Sequence, residues 1–223
     1  MYKKQKILAL IPARKGSKAI RNKNSKLFKK KPLISWSISS ALKSKYIDEV
    51  VVSTDCAAIK KISKKYGAKV PFTRPKSLAT DRSETISVVL HTLSKLEKYD
   101  YIVLLQPTSP LRKSHDIDKG IELIVNSNKF SLISFCQNVD HPDLTYKIKK
   151  NKIEKLTTDK MPRRQDAESF YTVNGAIYIS NVSWLKKNKK LYDDKSVPYI
   201  MPFERSIDID SKIDWKIAEL LAK

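Results

Sequence analysis

The chain has 223 residues and a formal net charge of +22, carried by 37 lysines but only 8 arginines. That length bounds one sizeable α/β domain, or one domain with an appended segment. Sequence-specific nucleic-acid readers lean on arginine for bidentate contacts, so lysines spread over nearly every segment read as decoration of solvated helix faces.

Residues 7–11 are a short apolar run with the bounds of a buried strand. It is too short for the apolar core of a signal peptide. Pro12 ends it, because a proline cannot donate to the next ladder position. Arg14, Lys15, Lys18, Arg21 and Lys23 follow, interleaved with Gly16, Ser17, Asn22 and Asn24. A strand emptying into a polar loop dense in cations suits a polyphosphate, which backbone N–H groups and fixed cations can neutralise. A solvated basic loop is the other reading of the same residues. The chain's four glycines, at positions 16, 67, 120 and 175, cannot write GxGxxG or GxxxxGK[ST], which excludes a dinucleotide fingerprint and a P-loop.

Pro32 is expected to open a helix whose apolar residues are Ile34, Ile38 and Ala41. Residues 50–52 form the next strand, and Asp55 is a candidate N-cap for a helix with Ile59, Ile62 and Tyr66 on one face. Gly67 stands where a helix C-cap belongs, and residues 69–72 read as a short third strand. This alternation predicts a mostly parallel sheet covered on both sides. A loop from Arg74 to Thr85 leads into a helix over 86–97, striped by Ile86, Val89, Leu90 and Leu93; an aspartate-led N-cap is the structural reading of that loop.

Residues 101–105 are a near-continuous apolar strand, followed by Gln106-Pro107-Thr108-Ser109-Pro110-Leu111-Arg112. Two prolines so close predict a stiff, extended segment at the carboxyl end of the strand, the edge where open α/β sheets bind ligands. A helix striped by Ile117, Ile121, Ile124 and Val125 and a strand over 132–135 come next. From 137 to 172 the pattern turns polar, with Leu144, Tyr146, Ile148, Ile153 and Leu156 suggesting a hairpin around Asn151. Excursions of this kind often bury themselves against a partner subunit. A strand over 173–179 precedes the closing stretch, in which Asp208 and Asp210 are two residues apart on an expected strand end. Both would then face the same way, and like charges so close favour a bridging cation such as Mg²⁺. The alternative is that Asp210 or Ser211 caps a last helix striped by Ile213, Ile217, Leu220 and Leu221. Cys56 and Cys136 form no CxxC, so a reduced, cytosolic setting is expected. The three histidines have no zinc-ligand spacing, and no apolar stretch approaches the length needed to cross a bilayer, so a soluble chain is expected.

Five strings, IPAR-x-GSK followed by KN, RP-x-x-LA-x-D, LLQPTSPLR, the RRQ stretch at Arg163-Arg164-Gln165 and NGAIYI, together resemble the acylneuraminate cytidylyltransferases, the CMP-sialic acid synthetase family. The resemblance runs in order over essentially the whole chain. It implies a three-layer, Rossmann-like nucleotidyltransferase fold with a mostly parallel sheet, as one domain over 1–223. Within it, 137–172 would be an inserted segment for dimerisation and sugar contact. The implied reaction joins CTP to a nonulosonic acid, giving a CMP-sugar and pyrophosphate, with Mg²⁺ as cofactor and a cytoplasmic homodimer that engages neither nucleic acid nor membrane. By resemblance, Arg14 and Lys23 hold the triphosphate, and Asp208 and Asp210 hold the metal; Arg14, Lys23 and Asp210 are the implied catalytic set. Ala13, Asn24, Arg74, Asp81, Arg82 and Thr85 complete the nucleotide side, although Arg82 stands where the family commonly has a small polar residue. Gln106, Arg164, Gln165, Asn174 and Tyr178 would line the sugar side, the RRQ stretch often reaching the partner's sugar. Ala19, Lys15 and Asn22 depart from the family's first loop. They leave open sialic acid, legionaminic acid or another nine-carbon relative. Enzymes for the eight-carbon 3-deoxy-manno-octulosonate share the fold but have a different first loop. From another class, a basic, non-enzymatic nucleic-acid-binding protein is the rival reading.

Overall fold

A computed structural model describes residues 2–17, 19–96, 98–138, 140–155 and 168–222. The strands are β1 (Ile7–Pro12), β2 (Leu27–Phe28), β3 (Lys31–Pro32), β4 (Glu49–Ser53), β5 (Tyr101–Leu104), β6 (Ser131–Gln137), β7 (Tyr146–Lys149), β8 (Lys152–Lys155), β9 (Tyr171–Asn181) and β10 (Val197–Met201). The helices are α1 (Leu33–Leu42), α2 (Ala57–Lys65), α3 (Thr85–Leu93), α4 (Ser114–Val125), α5 (Val182–Asn188) and α6 (Lys212–Leu221).

Six strands form one sheet in the order β10-β6-β9-β5-β1-β4. β1 pairs in parallel with β4 and β5, and β10 with β6, whereas β9 runs antiparallel to both its neighbours. Alternation along β1 explains the layering, since successive strand side chains point to opposite faces. Ile7, Ala9 and Ile11 pack with residues of α1, α2 and α4. Leu8 and Leu10 pack on the other face with Val89 and Leu93 of α3 and Val182 and Leu185 of α5. A third cluster joins Phe28, Leu33 and Ile209 to Trp215 and Ala218 of α6.

Several expectations are corrected. The strand expected over 69–72 is a single bridge, Val51 to Lys69. Lys69 exchanges both its hydrogen bonds with β4, and Pro71 has no N–H for the next rung. The expected extended segment after β5 is instead a pair of turns, with Ser109 N–H on Gln106 O at 3.4 Å; a proline second in a turn favours this. Asp55 does not cap α2. Cys56 stands at that N-cap, and Asp55 Oδ1 accepts from Lys15 N–H at 2.9 Å. Asp208 and Asp210 lie on irregular backbone rather than a strand end. The stripe assigned to the last helix faces outward: Ile213 is 66% and Leu220 84% exposed. α6 is anchored instead by Trp215, whose ring meets Phe28 edge-on at 5.5 Å.

Gly67, at φ +91°, closes α2 as expected. The expected hairpin is β7 and β8, turned by Lys150 and Asn151, both at positive φ, as a two-residue loop of the favoured hand requires.

Ser211 is the N-cap of α6, and Asp214 closes a capping box with it. Ser211→Ala should therefore lower the unfolding free energy by about 1 kcal/mol, read from urea denaturation. Asp210→Asn should change it by much less, because Asp210 only forms an exposed ion pair.

Candidate active site

The parallel strands all end on one edge of the sheet, and β9, reversed, begins there. A cavity of about 520 Å³ opens on this edge, lined by the first loop, the 74–85 loop, Gln106–Thr108 and Asp210. Arg14, Lys23, Asn24, Arg74, Asp81 and Thr85 all reach its wall.

Each cation on that wall is already engaged. Arg14 Nη2 lies 2.7 Å from Asp81 Oδ1, joining the first loop to the 74–85 loop across the cavity. Lys23 Nζ donates to Ile209 O at 2.7 Å and meets Asp210 Oδ1 at 3.1 Å. Arg74 is buried and donates to the hydroxyl and carbonyl oxygens of Ser53 at the end of β4. Burial lowers its guanidinium to about 10, with Asp55 opposing. Asn24 Nδ2 holds Arg14 O at 3.1 Å, fixing the backbone from which that arginine projects.

Not every expected residue arrives. Ala13 is buried behind the wall, with its N–H on Ser53 O, and Arg82 is exposed and outside the cavity lining. Tyr178 packs into the core beside the Leu8–Leu10 face, against Tyr192, and is absent from the cavity wall. Its phenol is pushed up to about 12 by burial. Arg164, Gln165 and Lys18 lie outside the described residues.

Asn174 is buried and wholly employed. It accepts from Ser134 Oγ at 2.6 Å and from Ala176 N–H at 3.1 Å, and donates to Ser206 Oγ at 3.0 Å. It thereby ties the start of β9 to the segment leading to Asp208. Both Asn174 and Asp208 line a recess of about 260 Å³ with Gln137, Asn138 and Thr172. Between recess and cavity lies Gly175, at φ +71°. A Cβ there would be 3.4 Å from Asp208 Oδ2 and 3.8 Å from Gln106 Nε2. The glycine thus admits the aspartate and the amide at close quarters.

Asp208 Oδ1 is buried without a hydrogen-bond partner. Burial pushes the carboxyl up from its ordinary value; the Thr108 hydroxyl opposes this, Asp210 adds to it, and Lys23 opposes it. An orphaned carboxylate oxygen beside a second carboxylate is what a hard cation would satisfy. Among the described residues no cluster of three or more His, Cys, Asp or Glu side chains offers a metal cage. Two carboxylates suit Mg²⁺, which keeps several waters and takes substrate phosphate oxygens.

Two supporting residues escaped the sequence reading. Arg112, 2% exposed, donates to Ala176 O at 2.6 Å and Ser37 Oγ at 2.7 Å, and Ser37 donates to Gln106 O at 3.1 Å. Burial pulls its guanidinium down to about 9, with Asp116 opposing. It ties the Gln106 turn to β9 and α1. Thr108 accepts Ile209 N–H on its carbonyl at 2.8 Å. The LLQPTSPLR string contained both residues, but nothing in it distinguished bracing from binding.

A family model described as cytidylyltransferase matches residues 8–217. The CMP-N,N'-diacetyllegionaminic acid synthase of Legionella pneumophila is 36% identical, over 97% of this chain and 96% of its own length. The N-acylneuraminate cytidylyltransferase of Escherichia coli O18:K1:H7 is 35% identical over 96% of this chain, which spans about half (51%) of that protein. Among solved structures, a CMP:2-keto-3-deoxy-manno-octonic acid synthetase complexed with CTP superposes with a TM-score of 0.75 at 16% identity. That likeness covers 97% of this chain and 98% of the other, and is one of fold.

A raised carboxyl makes a signed prediction for chelator-treated protein. Asp208 binds its proton more tightly folded than unfolded, so stability is lost as pH rises from the unfolded value, about 3.9, through the folded one. Asp208→Asn should therefore melt higher than the parent at pH 7, with the gap closing by about pH 4. Melts across that range check it.

Proposed function

The chain belongs to the cytidylyltransferase family, and we propose that it joins CTP to a nonulosonic acid of the sialic or legionaminic type. The products are a CMP-sugar and pyrophosphate. The observation that carries this reading is one cavity lined by Arg14, Lys23, Gln106 and Asp210 on the carboxyl edge of the sheet. Relatives named for legionaminic and N-acylneuraminic acids, at 36% and 35% identity, support the acceptor class. The octulosonate reading has support only from fold, at 16% identity.

The anomeric hydroxyl attacks the α-phosphorus in line. A new P–O bond forms, the bond to the β-phosphate bridge breaks with its electrons, and the hydroxyl proton passes to solvent. For such a transfer the protein's work is positioning and charge stabilisation. Arg14, paired with Asp81 in the structure, turns to the triphosphate, exchanging one anion for another. Lys23 stays close to the same phosphates while holding Ile209 O. Asn24, Arg74 and Thr85 shape the nucleotide side, Gln106 faces the acceptor with Asn174 bracing the wall behind it, and Arg164 and Gln165 are assigned by resemblance alone. Asp208 and Asp210 would hold Mg²⁺, which when bound supplies charge neutralisation on the phosphate oxygens.

The segment 137–172 is assigned to a homodimer. Every residue of β7 and β8 is exposed, and the cross-strand pair Ile148 and Ile153 are each 75% exposed. A lone two-stranded hairpin is marginal in water, so a second copy of the chain is its fitting cover. Among the described residues no helix is long and apolar enough to cross a membrane. The cytoplasm, where CTP is made, is the proposed setting.

Pyrophosphate release from CTP should depend on a nine-carbon sugar acid, tested with sialic, legionaminic and octulosonic acids. Arg14→Ala should slow it about 10²–10³-fold, the scale for one preorganised donor, and Asp210→Asn should raise the Mg²⁺ requirement. The exposed Lys187→Ala on α5 is the control. Tight RNA binding with no release from any sugar would overturn the reading in favour of the nucleic-acid-binding rival.

Sedimentation should give a dimer at micromolar concentration, and Ile148→Asp with Ile153→Asp should give a monomer. A parent that is a stable, active monomer refutes the assignment of the hairpin.

A further inference from the structure

We propose that Arg205 is a positioning residue for this reaction, acting through the buried carboxylate of Asp116 to fix the segment that carries Asp208 and Asp210. The inference rests on the reading of those two carboxylates as the metal-holding pair.

Asp116, on the first turn of α4, is 0% exposed. Arg205 grips both its oxygens, with Nε at 3.0 Å from Oδ2 and Nη2 at 2.9 Å from Oδ1. Tyr199 of β10 donates to Oδ1 at 3.1 Å, His115 Nε2 lies 3.3 Å from the same oxygen, and Lys113 N–H donates to Oδ2 at 3.0 Å. Neither Asp116 nor Arg205 lines the cavity or the recess. Substrate contact therefore does not account for this pair.

Stability accounts for it poorly. Taking a carboxylate wholly out of water is costly, and apolar pairs of similar volume are often as stable or more so. The best-attested use of a buried ion pair is to fix register, and the chain shows what is registered. Arg205 closes the single turn Phe203–Arg205. Ser206 Oγ then donates to Pro202 O at 2.8 Å and accepts from Asn174 at 3.0 Å. Ile209 is fully buried, with its N–H on Thr108 O at 2.8 Å. Asp208 lies between these fastenings and Asp210 just past them. Remove the Arg205 grip, and the segment keeps the Ser206, Lys23 and Thr108 hydrogen bonds but loses the one restraint that fixes its direction through two parallel contacts. A planar fork gripping two oxygens fixes direction as well as distance; a lysine would keep the charge and lose the direction.

The test uses Mn²⁺ as the probe, its binding to chelator-stripped protein followed by loss of the free-ion EPR signal. Arg205→Lys should weaken Mn²⁺ by about 10–100-fold, the scale for outer partners of a metal site. It should raise the half-saturating Mg²⁺ in turnover to match, with CTP binding in chelator unchanged. Asp116→Asn, which keeps the size and an acceptor oxygen, should shift the metal in the same way, and covers the case in which the first variant folds poorly. If the parent binds Mn²⁺ and both variants bind it equally well, whatever their melting temperatures, the pair is structural and the inference falls. If the parent binds no Mn²⁺ and turns over without divalent metal, the reading of Asp208 and Asp210 has failed, and the inference with it.

Discussion

Two carboxylates brought near one another repel, and the segment holding Asp208 and Asp210 keeps its place only because groups from across the chain restrain it. Lys23 Nζ is the most direct of these, holding Ile209 O and Asp210 together from a position 186 residues earlier. Thr108 takes the Ile209 N–H, Asn174 takes Ser206, and Asp116 takes Arg205. Each restraint comes from a different element at the same edge of the sheet. The cavity is therefore a product of the topology: five strands end at this edge, the sixth begins there, and the loops they release have only one another to bind.

The parts of this arrangement legible in the sequence are those governed by local pattern. The apolar run of β1, the stripe of α1, Gly67 and the turn at Lys150-Asn151 each follow from a period or a backbone preference confined to a few residues. The first loop, LLQPTSPLR and the DID pair were also recognisable, since their residue types are unusual for bland loops. What was not legible depends on partners distant in sequence. Asp55 reads as a cap until Lys15 is found to claim it. The apolar stripe of α6 reads as its core face until Trp215 is seen docking on Phe28. Asp116 gave no signal at all, since a carboxylate in the first turn of a helix is ordinary, and only its partners in space set it apart.

The cavity's internal pairing also changes what its charge means. The chain carries +22 overall, yet Arg14 and Lys23 face carboxylates and Arg74 faces backbone and a hydroxyl. On the proposed reading, a phosphate arriving here would displace an acid rather than fill an unbalanced field. Selection among anions then depends on geometry, because a ligand must present oxygens where Asp81 presents one already.

The reversal of β9 has a consequence for inheritance. Because this strand begins at the ligand edge, the excursion before it leaves and re-enters the fold at one place. Gln137 pairs with Tyr171, and Asn138 N–H meets Phe170 O at 2.8 Å, so the two ends are zipped together. Loop-closure entropy grows only slowly with length, by about 0.6 kcal/mol for each doubling. The segment between those joints can therefore lengthen, shorten or be exchanged as a cassette at little cost to the sheet that frames the cavity.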